Sequence, residues 1–123
     1  MKKINITITG ALGKMGKILI KRISKNKNLK LYSLTDVKVG KKISGIKIQK
    51  NNIEAFKETD VIIDFSRPKA SLEILNYAKK LKKKIVIGTT GFTKKQNNLV
   101  KNYSKKIAIL KSGNMSLGIN LLE

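Results

Sequence analysis

The chain has 123 residues, and its 28 Lys and Arg against 7 Asp and Glu give a formal net charge of +21. The length fits one domain, and 41% hydrophobic residues with a single Pro indicate a folded chain, not a disordered basic tail. The sequence contains no Cys and no His, which excludes disulfide frameworks, thiolate or histidine metal sites and histidine general bases. We therefore expect no metal site.

The N-terminal segment and the apolar runs bear on localisation. No stretch approaches the length of about 18 apolar residues that a membrane span needs. Residues 1–7 alternate apolar and polar side chains and lack the apolar core of a signal peptide. The sequence therefore predicts a cytoplasmic protein without membrane contact.

The basic residues are almost all Lys, which occurs 26 times against two Arg. Lys, Ile and Asn make up 55 of the 123 residues, and all three have A/T-rich codons, so genome bias alone can produce this composition. Only residues 82–84 form a run of three Lys. We therefore favour solvated lysines over a specific nucleic-acid site, and expect salt-sensitive, non-specific binding to polyanions.

Strand and helix signals alternate along the chain. The hydrophobic periodicity predicts strands at residues 3–9, 29–35, 60–65, 84–88 and 107–110. It predicts helices at residues 14–27, at 52–57, from Pro68 onward and at 94–105. Residues 36–52 are interpreted as a loop with one minor strand at 46–48.

Two helices have a predicted buried stripe, and a third has a predicted N-terminal cap. The stripe of the first helix is Met15, Ile18, Leu19 and Ile23, and that of the helix after Pro68 is Leu72, Leu75, Ala78 and Leu81. Thr93 and Gln96 have the spacing of a capping box.

This alternation with short connections predicts an α/β fold, a Rossmann-like doubly wound parallel sheet with helices on both faces. Ligands of such sheets bind beyond the carboxyl ends of the strands. The sequence places residues 10–16, 36, 65–68, 88–92 and 111–115 at that edge.

A glycine-rich loop follows the first predicted strand and opens the first helix. Gly10 suits a tight turn, Gly13 suits close approach of a pyrophosphate, and Gly16 suits packing of the helix on the sheet. The N–H groups of the helix N-terminus would then face the phosphates. The spacing is G-x-x-G-x-x-G, with Leu12 where the standard motif has its second Gly, so a simple strand-to-helix turn is the alternative.

Asp36 follows Gly16 by 20 residues, at the end of the second predicted strand. A carboxylate there can accept hydrogen bonds from the adenosine ribose. The alternative is a loop Asp that caps the strand end. A carboxylate repels a 2′-phosphate and Val37 adds no positive charge, although Lys38 could, so the residues favour NADH over NADPH without excluding NADPH.

Four motifs occur in order: GALGKMG at residues 10–16, DFSRP at 64–68, GTTGF at 88–92 and SGNMSLGIN at 112–120. Together they resemble the N-terminal, dinucleotide-binding part of the 4-hydroxy-tetrahydrodipicolinate reductases, and the resemblance covers essentially the whole chain. That family uses NADH or NADPH to reduce a cyclic dicarboxylate in the diaminopimelate route of lysine biosynthesis.

The resemblance implies roles for the matched residues. The pyrophosphate would be held by the glycine loop, the ribose by Asp36, and the path of the dinucleotide would be lined by Phe65, Ser66 and Arg67. The remaining cofactor-binding residues that the resemblance implies are Gly10, Ala11, Leu12, Gly13, Lys14 and Met15 at the loop, and Gly88, Thr89, Thr90, Ser112, Gly113, Asn114 and Met115 at the nicotinamide half.

In the family, a second domain carries the substrate site, the protonating residues and the oligomer contacts. The resemblance therefore implies that residues 1–123 are a dinucleotide-binding domain, with residues 116–123 beginning the crossover to the missing domain. No catalytic residue is expected in this chain, and dicarboxylate binding or oxidoreductase activity is expected only with that domain present. A stand-alone NAD(P)-binding or regulatory protein and a basic nucleic-acid-binding module are the alternatives.

Overall fold

The computed structural model describes residues 2–111. Strands and helices alternate through most of this range. In chain order they are β1 (Ile4–Thr9), α1 (Lys14–Lys25), β2 (Leu29–Thr35), β3 (Lys42–Ile43), β4 (Ile46–Lys47), α2 (Ile53–Phe56), β5 (Val61–Asp64), α3 (Pro68–Leu81), β6 (Lys84–Ile87), α4 (Lys94–Tyr103) and β7 (Ile109–Lys111).

Five strands form one parallel sheet in the order β2-β1-β5-β6-β7. From β1 the chain adds β2 on one side. It then crosses to the other side of β1, where it adds β5, β6 and β7 in turn. The winding direction therefore reverses between β1 and β5. This order confirms the predicted doubly wound fold, and a ligand is expected at the reversal, beyond the carboxyl ends of the two strands.

Helices cover both faces of the sheet. Neighbouring residues of β5 point to opposite faces and pack against different helices. Ile63 belongs to a buried cluster with Leu19 and Ile23 of α1. Ile62 belongs to a second buried cluster with Ile74 and Leu75 of α3. The strand is thus buried on both sides, as its continuous apolar run predicts.

The buried stripe of α1 differs from the predicted one. Ile18 is 40% exposed, whereas Ile20 is buried beside Leu19 and Ile23. Residues 16, 19, 20 and 23 keep the three- and four-residue spacing of one helical face, and Ile18 lies about 100° away from Leu19 around the axis. The prediction failed because an apolar side chain on the exposed side was counted as core.

The buried stripe of α3 is also shifted from the prediction. It consists of Ser71, Ile74, Leu75 and Ala78, whereas Leu72 and Leu81 are only half-buried. A polar residue at a core position hid the true stripe, because the Ser71 hydroxyl has a buried hydrogen-bond partner in β5.

The predicted minor strand near residues 46–48 is present as β4, and the unpredicted β3 pairs with it in a short antiparallel hairpin. Ser44 and Gly45 link β3 to β4, with φ of 51° and 80°, as two-residue hairpin turns require. A bridge between Thr35 and Gln49 then joins the end of this segment to β2. The connection therefore returns to the carboxyl edge of the main sheet.

The helix-start predictions are confirmed, and one strand is displaced from its predicted position. Pro68 is the first residue of α3, and Thr93 and Gln96 form the capping box of α4. The last described strand, β7, spans Ile109–Lys111 instead of the predicted residues 107–110. In the described range, no helix combines the length and apolarity needed to cross a bilayer.

Candidate functional site

The glycine loop between β1 and α1 has two glycines that the fold itself requires. Gly10 has φ of 70°, and a Cβ there would lie 2.4 Å from the carbonyl oxygen of Phe65. A Cβ on Gly16 would lie 2.4 Å from the carbonyl oxygen of Gly10. Gly16 therefore allows α1 to pack against the loop, and not directly against the sheet as predicted.

Gly13 differs from its two neighbours in the motif. Its φ of −71° is ordinary, and the nearest atom to an added Cβ would be the Gly10 carbonyl oxygen at 3.3 Å. Gly13 is also the N-cap of α1, where no side chain caps the helix and no first-turn residue is acidic. This end of the helix therefore offers backbone N–H groups to an anion.

Asp36 is attached to the glycine loop by a contact that the sequence did not reveal. Its Oδ2 accepts a hydrogen bond of 2.8 Å from the backbone N–H of Leu12, and its Oδ1 accepts one of 2.6 Å from the N–H of Val37. The backbone N–H of Ala11 donates to the Thr35 carbonyl oxygen at 3.1 Å. The end of β2 therefore supports the loop, and each carboxylate oxygen of Asp36 keeps capacity for another donor.

The β5–α3 loop lies between the glycine loop and the β6–α4 loop. The Phe65 ring occupies the space beside Gly88, where an added Cβ would come within 1.9 Å of a ring carbon. The N–H of Gly88 donates to the Asp64 carbonyl oxygen at 2.8 Å. Gly88 therefore has a packing reason to be glycine, beyond the ligand contact that the resemblance implies.

A cleft of about 950 Å³ opens at the reversal between β1 and β5. It lies beyond the carboxyl ends of the strands, where the fold predicts a ligand. Its lining residues are Gly10, Leu12, Gly13, Thr35, Asp36, Val37, Lys38, Lys50, Asn51, Phe65, Ser66, Arg67, Ala70, Glu73 and Tyr77.

The structure brings some of the predicted site residues together in this cleft and leaves others apart. Those in its lining are Gly10, Leu12, Gly13, Asp36, Phe65, Ser66 and Arg67. Ala11 is buried behind the loop, and Lys14 and Met15 lie in the first turn of α1. Gly88 and Thr89 are buried and Thr90 is exposed on the next loop, outside this lining. The predictions for Ser112, Gly113, Asn114 and Met115 lie outside the described residues.

Sequence reasoning missed several lining residues on the far side of the cleft. Lys50 and Asn51 reach it because the bridge between Thr35 and Gln49 places them beside the end of β2. Exposed Glu73 and half-buried Tyr77 reach it from α3. In the sequence, Lys38 stands out as a positive charge close to Asp36. The sequence does not indicate that Lys50 and Asn51 reach the cleft, because residues 36–52 show no clear periodicity.

Two side-chain oxygens of residues that line the cleft lack a hydrogen-bond partner in the described part of the chain. They are the Oγ1 of Thr35 and the Oδ1 of Asn51. Neither oxygen is exposed to solvent in the open cleft, so both lie behind its surface and are not contacts for a molecule that the cleft would hold. Within residues 2–111, no cluster of three or more acidic side chains could hold a metal ion.

The comparisons with known proteins agree on a family. The family model described as "Dihydrodipicolinate reductase, N-terminus" matches residues 4–115. A 4-hydroxy-tetrahydrodipicolinate reductase from Pelagibacter ubique is 58% identical, over 99% of this chain and 48% of that protein. One from Buchnera aphidicola is 44% identical, over 98% of this chain and 49% of that protein. The chain thus spans about half the length of the curated relatives it matches.

Solved structures share the fold at low sequence identity. A dihydrodipicolinate reductase from Paenisporosarcina sp. TG-14 gives a TM-score of 0.76 at 24% identity, over 94% of this chain and 49% of that one. A homoserine dehydrogenase from S. aureus gives 0.74 at 18% identity, over 91% of this chain and 33% of that one. The fold and the family match lead to one conclusion: the chain belongs to the dihydrodipicolinate reductase family, over the N-terminal, nicotinamide-dinucleotide-binding part of that family.

Proposed function

We propose that this chain binds a nicotinamide dinucleotide in the cleft, with the pyrophosphate at Gly13 and the first turn of α1. The observation that carries the proposal is the contrast between Gly13 and its neighbours. An added Cβ at Gly10 or Gly16 would lie 2.4 Å from a backbone oxygen, whereas one at Gly13, which lines the cleft, would meet backbone only at 3.3 Å. A pyrophosphate that approaches the uncapped helix end gives glycine at this position a reason beyond its preference at an N-cap.

The adenosine half would lie towards Asp36, on the side of the cleft that β2 and the hairpin form. Asp36 would accept hydrogen bonds from the ribose hydroxyls while it still holds the Leu12 N–H. Thr35 and Asn51 line the same cleft as Asp36. The residues present therefore fit the cofactor.

NADH is the preferred dinucleotide in this proposal, and NADPH is accepted more weakly. The Asp36 carboxylate opposes a 2′-phosphate, and Lys38 and Lys50, which line the same cleft, reduce that repulsion. The preference is therefore modest.

The nicotinamide half would extend along the other two loops. Gly88, Thr89 and Thr90 are proposed to contact it, together with Ser112, Gly113, Asn114 and Met115. Phe65 supports this path, because its ring packs against Gly88.

As a member of its family, the chain is proposed to be the cofactor-binding part of a 4-hydroxy-tetrahydrodipicolinate reductase. When bound, the reduced dinucleotide supplies a hydride to a cyclic dicarboxylate. The residues of this chain bind and orient the cofactor, and we assign no catalytic residue among them. Because positioning a substrate contributes ~7–11 kcal/mol to lowering the barrier, we expect little turnover from this chain by itself.

A complementation experiment separates this proposal from a binding protein without catalysis. The chain is mixed with the C-terminal half of the Pelagibacter ubique reductase, and oxidation of NADH is followed with the dicarboxylate present. The proposal expects turnover that needs both parts and that Gly13→Val abolishes. Saturable NADH binding without turnover in the mixture would favour the regulatory alternative.

A further inference from the structure

Asp64, the last residue of β5, is a buried carboxylate with an unusual set of partners. The side chain is 0% exposed. In the described part of the chain, its hydrogen-bond donors are hydroxyl groups and one backbone N–H. A buried carboxylate is costly unless donors surround it, so this set has to be held in place for the domain to fold as observed.

The donors come from the segments at the carboxyl ends of the three central strands β1, β5 and β6 and from α3. Thr9, directly before the glycine loop, donates to Oδ1 at 2.6 Å. Ser66, in the β5–α3 loop, donates to Oδ1 through its backbone N–H at 3.0 Å and through its hydroxyl at 2.5 Å. Asp64 thus joins the glycine-loop segment to the loop that carries Phe65 and Arg67.

The second oxygen of Asp64 reaches the remaining loop. Ser71, in the first turns of α3, donates its hydroxyl to Oδ2. The hydroxyl of Thr89, in the β6–α4 loop, lies 3.3 Å from Oδ2 and 2.9 Å from the Ser71 hydroxyl. Hydrogen bonds to an ionised acceptor are shorter and stronger than neutral ones, which suits a group that fixes loops.

The positions that Asp64 fixes also leave little space between the loops. The Phe65 carbonyl oxygen lies where a Cβ of Gly10 would be, and the Phe65 ring lies where a Cβ of Gly88 would be. A shift of Ser66 would move Phe65 against one loop or away from the other. The fit between the glycine loop, Phe65 and Gly88 therefore depends on where the Ser66 N–H is held.

We propose that Asp64 is a positioning residue for the dinucleotide: it holds the β5–α3 and β6–α4 loops in register with the glycine loop, so that the nicotinamide half of the cofactor meets a preformed surface. This inference rests on the proposed function. It assigns Asp64 no contact with the cofactor, since the carboxylate is buried beneath the loops.

The test compares two ligands on the same variants. ADP contains the adenosine and pyrophosphate groups that the glycine loop and Asp36 would hold, whereas NADH also extends over the other two loops. For Asp64→Ala we expect the Kd for NADH to rise about tenfold or more and the Kd for ADP to change less than about threefold, because several charge-assisted hydrogen bonds that order those loops are lost. Isothermal titration of the whole chain measures both constants.

Two further variants distinguish positioning from damage to the fold. Asp64→Asn keeps the shape and one acceptor oxygen, so we expect it to restore much of the NADH affinity that Asp64→Ala loses. Ser71→Ala removes only the buried hydroxyl that links Oδ2 to Thr89, and we expect a rise in the NADH Kd of about threefold with ADP unchanged. Ser71→Ala decides the matter if Asp64→Ala does not fold.

Ser33→Ala is the matched control. Ser33 is a buried hydroxyl in β2 that donates to the Ala55 carbonyl oxygen at 2.5 Å, away from the cleft lining. We expect a lower urea midpoint with both Kd values unchanged. An NADH-to-ADP ratio that stays at the wild-type value in the folded Asp64 and Ser71 variants overturns the inference. A wild-type chain that binds neither ligand overturns the proposed function itself.

Discussion

The two edges of the parallel sheet both contain an acidic residue of the β5 segment, but the two residues have different roles. At the amino edge, Asp60 directly precedes β5 and accepts a hydrogen bond of 2.7 Å from the Asn5 backbone N–H. The side-chain amide of Asn5 donates to the backbone carbonyl oxygen of Glu58. At the carboxyl edge, Asp64 ends the same strand and accepts hydrogen bonds from hydroxyl groups at the end of β1 and in two loops. Asp60 is exposed and Asp64 is buried, although only one strand separates them.

The two edges differ in the hydrogen-bonding groups that they leave without a partner. The amino-edge groups just described pair with one another. The carboxyl edge retains a helix start at Gly13 that no side chain caps, and carboxylate oxygens of Asp36 that can each accept a further hydrogen bond. Groups with unused hydrogen-bonding capacity at one edge fit a site that a ligand completes, whereas paired groups at the other edge fit closure of the fold.

Gly13→Val gives the largest expected effect on the carboxyl edge. The added side chain fills the space that the pyrophosphate would enter, so we expect the NADH Kd to rise about 30-fold or more. Far-UV circular dichroism stays near wild type, because the φ of Gly13 is accessible to Val and the lost N-cap preference costs only about 1 kcal/mol. Gly13→Ala serves as the graded control, with a smaller loss. Wild-type affinity in the Val variant would remove the glycine loop from the site.

Asp36→Ser is expected to change which dinucleotide is preferred. Removing the carboxylate removes its repulsion of a 2′-phosphate and its bonds to the ribose, so the NADPH-to-NADH affinity ratio rises by about tenfold. Fluorescence titration with each reduced dinucleotide measures the ratio. Asp36→Asn keeps an acceptor for the Leu12 N–H and controls for disturbance of the loop. An unchanged ratio in the Ser variant would place Asp36 away from the ribose.

Replacing both Lys38 and Lys50 by Ala has a smaller expected effect. These lysines reduce the repulsion of a 2′-phosphate, so NADPH binding weakens by about threefold and NADH binding changes less. The difference shrinks at high salt, because exposed charges are screened. Lys84→Ala, which removes an exposed lysine at the start of β6, is the matched control. Equal losses for the two dinucleotides would remove the lysines from the 2′-phosphate end.

Asp60→Asn gives the smallest expected effect and tests the amino edge. The amide oxygen can still accept from the Asn5 N–H, so the free energy of unfolding falls by less than about 1 kcal/mol. NADH affinity stays at the wild-type value. Urea unfolding and NADH titration of the same sample check both expectations. A loss of NADH affinity would contradict the claim that only the carboxyl edge forms the dinucleotide site.

Much of the fold could be predicted because local sequence signals agree with the tertiary structure. Pro68, Thr93 and Gln96 indicate helix starts through local interactions. The continuous apolar run of β5 indicates that this strand is buried on both faces. The glycine loop was predictable from its place between a strand and a helix and from the local contact of Gly16 with Gly10, although the contact of Gly10 with Phe65 is long-range.

The far side of the cleft could not be predicted in this way. Lys50 and Asn51 reach it through the bridge between Thr35 and Gln49, a long-range pairing that leaves no periodic pattern in residues 36–52. Ser71 was missed for a related reason: a polar side chain at a core position becomes intelligible only with its partner Asp64 in place. Such polar contacts across the fold are what position the candidate site.

Titration of the wild-type chain with NADH at two ionic strengths tests the central claim most directly. With a net charge of +21, this chain attracts any polyanion, so affinity at one salt concentration proves little. We expect saturable binding of one NADH per chain that ADP displaces and that persists between about 0.15 M and 0.5 M salt. Binding that does not saturate, or that disappears at the higher salt, would contradict a dinucleotide site in the cleft.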